Sequence, residues 1–177
     1  MSIILIGPPS CGKSTIGVIL AKRYGYKFID SDLVIQERTK KLLHEIISEK
    51  GADGFLSLEN EVNLSIDTEN AVISTGGSAI YGKEAMQRFK ENGVVIYLHI
   101  SFHNMSRRLG DYTHRGVVLR DGQSLYDMYR ERRKLYEKYA DIIIDEGNKK
   151  ISNTVALIDD ALSRCEKFKE VTGKNIQ

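Results

Sequence analysis

The segment Gly7-Pro8-Pro9-Ser10-Cys11-Gly12-Lys13-Ser14 constrains this chain more than any other. It meets the pattern G-x-x-x-x-G-K-[ST] in the context that pattern needs. Before it runs the apolar stretch Ile3 to Ile6, which suits a strand covered on both faces. After it, Ile16, Ile19, Leu20 and Tyr24 recur at helical spacing from Lys13 to Tyr24, and Gly25 is placed to end the helix. Glycines let such a loop curl so that successive N–H groups face phosphate oxygens, and the helix N-terminus adds partial positive charge. Lys13 is expected to bridge β- and γ-phosphates and to meet only ligand and solvent, while the Ser14 hydroxyl is expected to bind Mg²⁺. Gly7, Ser10, Cys11, Gly12, Lys13, Ser14 and Thr15 therefore form the expected site for a nucleoside triphosphate. A turn that merely joined strand to helix would not need both the lysine and the hydroxyl.

The rest of the chain alternates short β-rich runs with longer helical ones. Further strands are expected at Lys27 to Ile29, Ala71 to Ser74, Gly93 to Leu98 and Asp141 to Ile144. Two or three helices are expected between Leu33 and about Ile66, broken near Gly51 and Gly54. Others are expected at Lys83 to Glu91, Phe102 to Leu109, Ser124 to Tyr139 and about Ser152 to Lys169. Gly110 to Gly122 has turn residues at both ends and little periodicity, so it reads as a long mobile loop. The alternation implies a five-stranded parallel sheet flanked by helices in three layers.

At 177 residues the chain fits one domain with a core of its own. A net charge of +2 gives no field that points to nucleic acid or anionic membrane. No apolar run approaches the roughly 18 residues that span a bilayer. Cys11 and Cys165 lack metal-ligand spacing and a disulfide framework, and read as free thiols of a reducing cytoplasm. His44, His99, His103 and His114 are scattered, and only His114, beside Arg115, is placed to touch nucleotide. The tyrosines at 126, 129, 136 and 139 read as packing residues.

Asp30-Ser31-Asp32 closes the second strand, and ligands of open α/β sheets gather outside the carboxyl ends of the strands. One aspartate can serve the magnesium shell, and the other can orient a hydroxyl or accept its proton. At these residues the sequence resembles the shikimate kinase family, small P-loop kinases with a nucleoside-monophosphate-kinase-like fold. The likeness runs from Ile3 to about Ala161 and includes Ser14-Thr15-Ile16-Gly17 and Phe28-Ile29-Asp30-Ser31-Asp32. It implies ATP and Mg²⁺ as partners, Asp30 with Ser14 at the metal, and Asp32 at the acceptor hydroxyls. It further implies that Gly76 and Gly77 line the acceptor pocket and that Arg132 binds the acceptor's carboxylate. By the same resemblance Arg108 packs on the adenine, and Arg115, on a lid of about 110–122, reaches the phosphates. The helical segment of about 33–66 would hold the acceptor. Lys13, Asp32 and Arg115 would be the catalytic residues.

The departures lie on the acceptor side. An arginine of the family that grips the same carboxylate is here Leu56, although its usual support, Glu59, is present. Ser78 replaces a glycine of the family's glycine run, Ser10 the middle glycine of its P-loop, Gly116 the proline after the lid arginine, and Ala52 an acidic residue. Glu59 is expected to put an unpaired negative charge at the pocket, which predicts weak use of shikimate unless another cation, such as Arg120 or Arg133, substitutes. The reading is an ATP-dependent kinase, monomeric and cytoplasmic, for a hydroxyl of a small metabolite, shikimate kinase-like. Its rivals are a kinase for another polyol or hydroxy metabolite, and a nucleotide-binding regulatory protein without transfer.

Overall fold

The structure is a computed structural model, and it describes residues 1–110, 116–147 and 149–172, with the side chains of 170–172 outside the description. Five strands form one parallel sheet: β1 (Ser2–Ile6), β2 (Lys27–Asp30), β3 (Ala71–Ser74), β4 (Gly93–His99) and β5 (Ile142–Asp145). Their order is β2-β3-β1-β4-β5. The central strand β1 pairs Leu5 with Ser74 of β3 on one side and with Ile96 of β4 on the other. All five of its residues are buried, as a strand covered on both faces requires.

Eight helices are described: α1 (Lys13–Tyr24), α2 (Ser31–Thr39), α3 (Leu43–Ser65), α4 (Lys83–Asn92), α5 (Phe102–Leu109), α6 (Leu125–Tyr139), α7 (Ile151–Arg164) and α8 (Glu166–Thr172). One apolar layer packs Leu5, Ile16, Leu20 and Ile96 with Ile158 and Leu162 of α7. The opposite layer packs Ile4, Ile73 and Val95 with Phe89 of α4 and Tyr136 of α6. A third, smaller cluster joins Ile35, Ile46, Phe55 and Val62 of α2 and α3 with Val118. The three-layer α/β expectation holds.

Local details differ where side-chain chemistry overrides periodicity. Helix α2 starts at Ser31 because the Asp30 carboxylate accepts from the Asp32 N–H and caps it. Gly51 breaks α3 with φ 68° and ψ 178°, whereas the helix continues through Gly54. Cys165 leaves helical geometry and splits the terminal helix into α7 and α8. A 3₁₀ turn at Ala79–Tyr81, absent from the sequence reading, follows the glycine run.

Candidate active site

The carboxyl ends of β1, β2 and β3 open on a cavity of about 480 Å³. Its wall includes Pro9 to Ser10, Gly12 to Thr15, Asp32, Thr75 to Ser78 and Arg132. The P-loop turns through left-handed conformations at Ser10 (φ 63°) and Gly12 (φ 92°). Ser10 thus adopts a backbone that glycine would take without strain. At Gly7 a Cβ would stand 2.7 Å from the Leu98 carbonyl oxygen, so only glycine passes there. The Cys11 side chain is wholly buried, and burial raises its thiol pKa. Its offer to a phosphate is its backbone. The Lys13 ammonium donates to the carbonyls of Gly7 at 2.9 Å and Pro8 at 3.0 Å. It therefore braces its own loop, contrary to the expectation that it meets only ligand and solvent.

The Ser14 hydroxyl donates to Asp30 Oδ2 at 2.7 Å, while Asp30 Oδ1 caps α2. This oxygen pair fits a magnesium ion that takes most of its ligands from phosphates and water. No cluster of three or more acidic, His or Cys side chains suited to a metal occurs among the described residues.

Asp32, in the first turn of α2, lies on the cavity wall. Burial, then the charge of Asp30, push its carboxyl up to about 6, against the pull of Lys13. A Cβ on Gly76 would collide with Asp32 Oδ1 and Glu59 Oε1, so the bare glycine lets both carboxyls approach the same side of its backbone. Glu59 is 1% exposed and does not line the cavity. Its Oε2 accepts from the Ser78 hydroxyl at 2.6 Å, and its Oε1 has no partner among the described residues. Burial, then the charge of Asp32, push it up to about 8. Burial without an ion-pair partner thus favours the neutral acid over the negative charge expected at the pocket.

Arg132 is 3% exposed and projects from α6 against Gly77. Its Nη2 donates to the Val118 carbonyl, its guanidinium lies 5.5 Å from the Tyr81 ring centre, and its Nε has no partner among the described residues. One turn on, the Tyr136 hydroxyl donates to the Gly77 carbonyl at 2.6 Å. The packing assignment of Tyr136 missed this bond, although its i,i+4 relation to Arg132 puts both on one helix face. Ser78 was legible as a departure, but its bond to Glu59 joins two elements that only the fold brings together.

Leu56 packs on the small cluster around Phe55 and supplies no charge. Neither Arg120 nor Arg133 is part of the cavity wall. Arg120 pairs with Glu131 at 2.9 Å, and Arg133 with Glu137 at 2.8 Å. Arg108 is not part of the cavity wall; it pairs with Glu146 at 2.9 Å and donates to the Gly147 carbonyl at 3.1 Å. His114 and Arg115 lie outside the described residues. Of the segment expected as a lid, Gly116 and Val117 line the cavity, and Val118 is buried in the small cluster.

The model of the shikimate kinase family matches residues 9–163. The chain belongs to that family. It is 38% identical over 167 residues to the shikimate kinase of Haemophilus influenzae, covering 89% of this chain and 92% of that one. Its fold is similar to that of the Aquifex aeolicus shikimate kinase, with a TM-score of 0.79, 32% identity, and 98% and 100% of the two chains covered. It is also similar to an Acinetobacter baumannii shikimate kinase solved in complex with shikimate, with a TM-score of 0.80, 27% identity, and 99% and 95% covered. Membership makes the chain an ATP- and magnesium-dependent kinase acting on a hydroxyl of a small metabolite, and favours that reading over both rivals. None of the described helices is long and apolar enough to cross a membrane.

Proposed function

We propose that this chain transfers the γ-phosphoryl group of ATP to a hydroxyl of shikimate. The observation that carries the proposal is one cavity in which the P-loop, Asp32 and Arg132 face each other. Shikimate is a small ring bearing hydroxyls and one carboxylate, and this wall offers a carboxylate for the first and a guanidinium for the second. Phosphoryl transfer needs positioning and charge stabilisation rather than a covalent enzyme intermediate.

Lys13 and the α1 N-terminus hold the phosphates, with the backbone of Gly7 to Gly12 around them. Ser14 and Asp30 are the residues that would hold magnesium, which supplies charge neutralisation on the phosphates. Asp32 accepts the proton of the attacking hydroxyl. Arg132 takes the carboxylate, and Gly76 and Gly77 let the ring approach the backbone. Arg108, tied to Glu146 and Gly147 beyond β5, is assigned the adenine face, and Arg115 the phosphates, by the family resemblance. The working unit is taken as a monomer, and the compartment as the cytoplasm, where Cys11 and Cys165, free of disulfides, stay reduced.

Steady-state release of ADP should depend on shikimate and should not be reproduced by polyols that lack a carboxylate. ADP release that is indifferent to shikimate, or faster with an uncharged polyol, would sink the proposal. With Leu56 contributing no charge, Leu56→Arg should lower the KM for shikimate by roughly 10-fold or more, the worth of one charge-assisted contact.

A further inference from the structure

We propose that Glu59 is a positioning residue for the acceptor, which as a neutral acid leaves the Arg132 guanidinium free for the acceptor's carboxylate and on ionising draws it away. The inference rests on the reading of Arg132 as the acceptor's cation.

Two buried polar groups near the acceptor end of the cavity have unfilled hydrogen-bonding capacity, Glu59 Oε1 and Arg132 Nε. They are of opposite chemistry, yet they do not pair. Arg132 bonds the Val118 carbonyl and lies over Tyr81, and Glu59 bonds Ser78. Burial without an ion pair is tolerable for Glu59 only while it carries a proton. Among the described residues Ser78 is the one group that hydrogen-bonds it, and a hydroxyl serves either protonation state because it can donate or accept.

The charged groups facing Glu59 from the elements packed around it are Asp32 at the start of α2, Lys13 at the start of α1 and Arg132 on α6. Asp32 opposes ionisation, and the two cations favour it. If Glu59 does lose its proton, it becomes a buried anion beside Asp32. Of the two cations, Lys13 is engaged by the P-loop carbonyls, whereas Arg132 has a free N–H. Arg132 is then the group that neutralises it, in competition with the acceptor. Affinity for the acceptor should therefore fall with rising pH while nucleotide affinity does not.

The test has two readouts. Infrared spectra of the protein without ligands, recorded for the natural chain and for Glu59→Gln, should differ at pH 7 by a protonated-carboxyl stretch that disappears above about pH 8. That readout does not depend on what the acceptor is. With MgATP saturating, the KM for shikimate should rise by up to about tenfold per pH unit above that point, one proton being lost, with a much smaller change in kcat. In Glu59→Gln the KM should stay level over the same range. In Ser78→Ala the rise should move to higher pH, since the hydroxyl that steadies the carboxylate is gone. A carboxylate signal from Glu59 at pH 7, a level KM in the natural chain, or the same rise in Glu59→Gln would each overturn the inference. Absence of shikimate turnover would fail the proposed function instead, and the infrared result would still decide the state of Glu59.

Discussion

The Ser14 hydroxyl reaches Asp30 Oδ2 at 2.7 Å across the gap between the P-loop helix and the end of β2. Two residues separated by 16 positions thus form one oxygen pair, with Ser14 on the cavity wall. Ser14→Ala removes half of it. Affinity for MgATP should fall by roughly 10-fold or more, the scale of one contact to a charged group, while affinity for magnesium-free ATP changes little. Calorimetric titration with and without magnesium separates the cases, and an equal loss in both would argue for a role on phosphate alone.

Lys13→Ala should abolish transfer. It should also loosen the P-loop, because the ammonium's bonds to the Gly7 and Pro8 carbonyls go with it. Circular dichroism should report an intact fold with stability lowered by about 1–3 kcal/mol, the usual effect of removing a buried polar partner. Turnover near that of the natural chain would refute the phosphate assignment.

Asp32→Asn keeps the size of the side chain and removes its basicity. Turnover should drop by roughly 10²–10⁴-fold, the range for a positioned acid–base group, with nucleotide affinity nearly unchanged. Loss of nucleotide affinity with turnover per bound ATP retained would exchange the roles of Asp30 and Asp32.

The raised pKa of Glu59 also bears on stability. In the unfolded chain the group titrates near 4.5, and in the folded one near 8. Between these values the folded state holds a proton that the unfolded state has released, so stability falls as pH rises through that window. Below about 4.5 the contribution is fully present, and above about 8 it is lost. Glu59→Gln removes the dependence. Thermal melts of both chains should show the variant gaining on the natural chain from pH 5 to pH 8, and a constant difference in Tm would count against a buried neutral Glu59.

The nucleotide half of the site was legible because its chemistry is local. Gly7, Gly12, Lys13 and Ser14 fall within eight consecutive residues, and the flanking strand and helix announce themselves by periodicity. The acceptor half is assembled from α2, α3, the turn after β3, and α6. Arg132 and Asp32 could be named by family resemblance. The protonation of Glu59 could not, since it follows from burial and from the charge of Asp32, which only the fold brings beside it. Leu56 posed a similar problem, as sequence showed a missing charge but not the apolar cluster that receives the side chain.

That cluster has an evolutionary consequence. Ile35, Ile46, Phe55, Val62 and Val118 pack together apart from the two layers that clothe the sheet. Substitutions among them, or at Leu56 on their edge, can be absorbed by neighbours in the same small group. The P-loop and its strand rest on other residues. Acceptor preference in a chain built this way can drift by single mutations while the triphosphate cradle stays under unchanged selection.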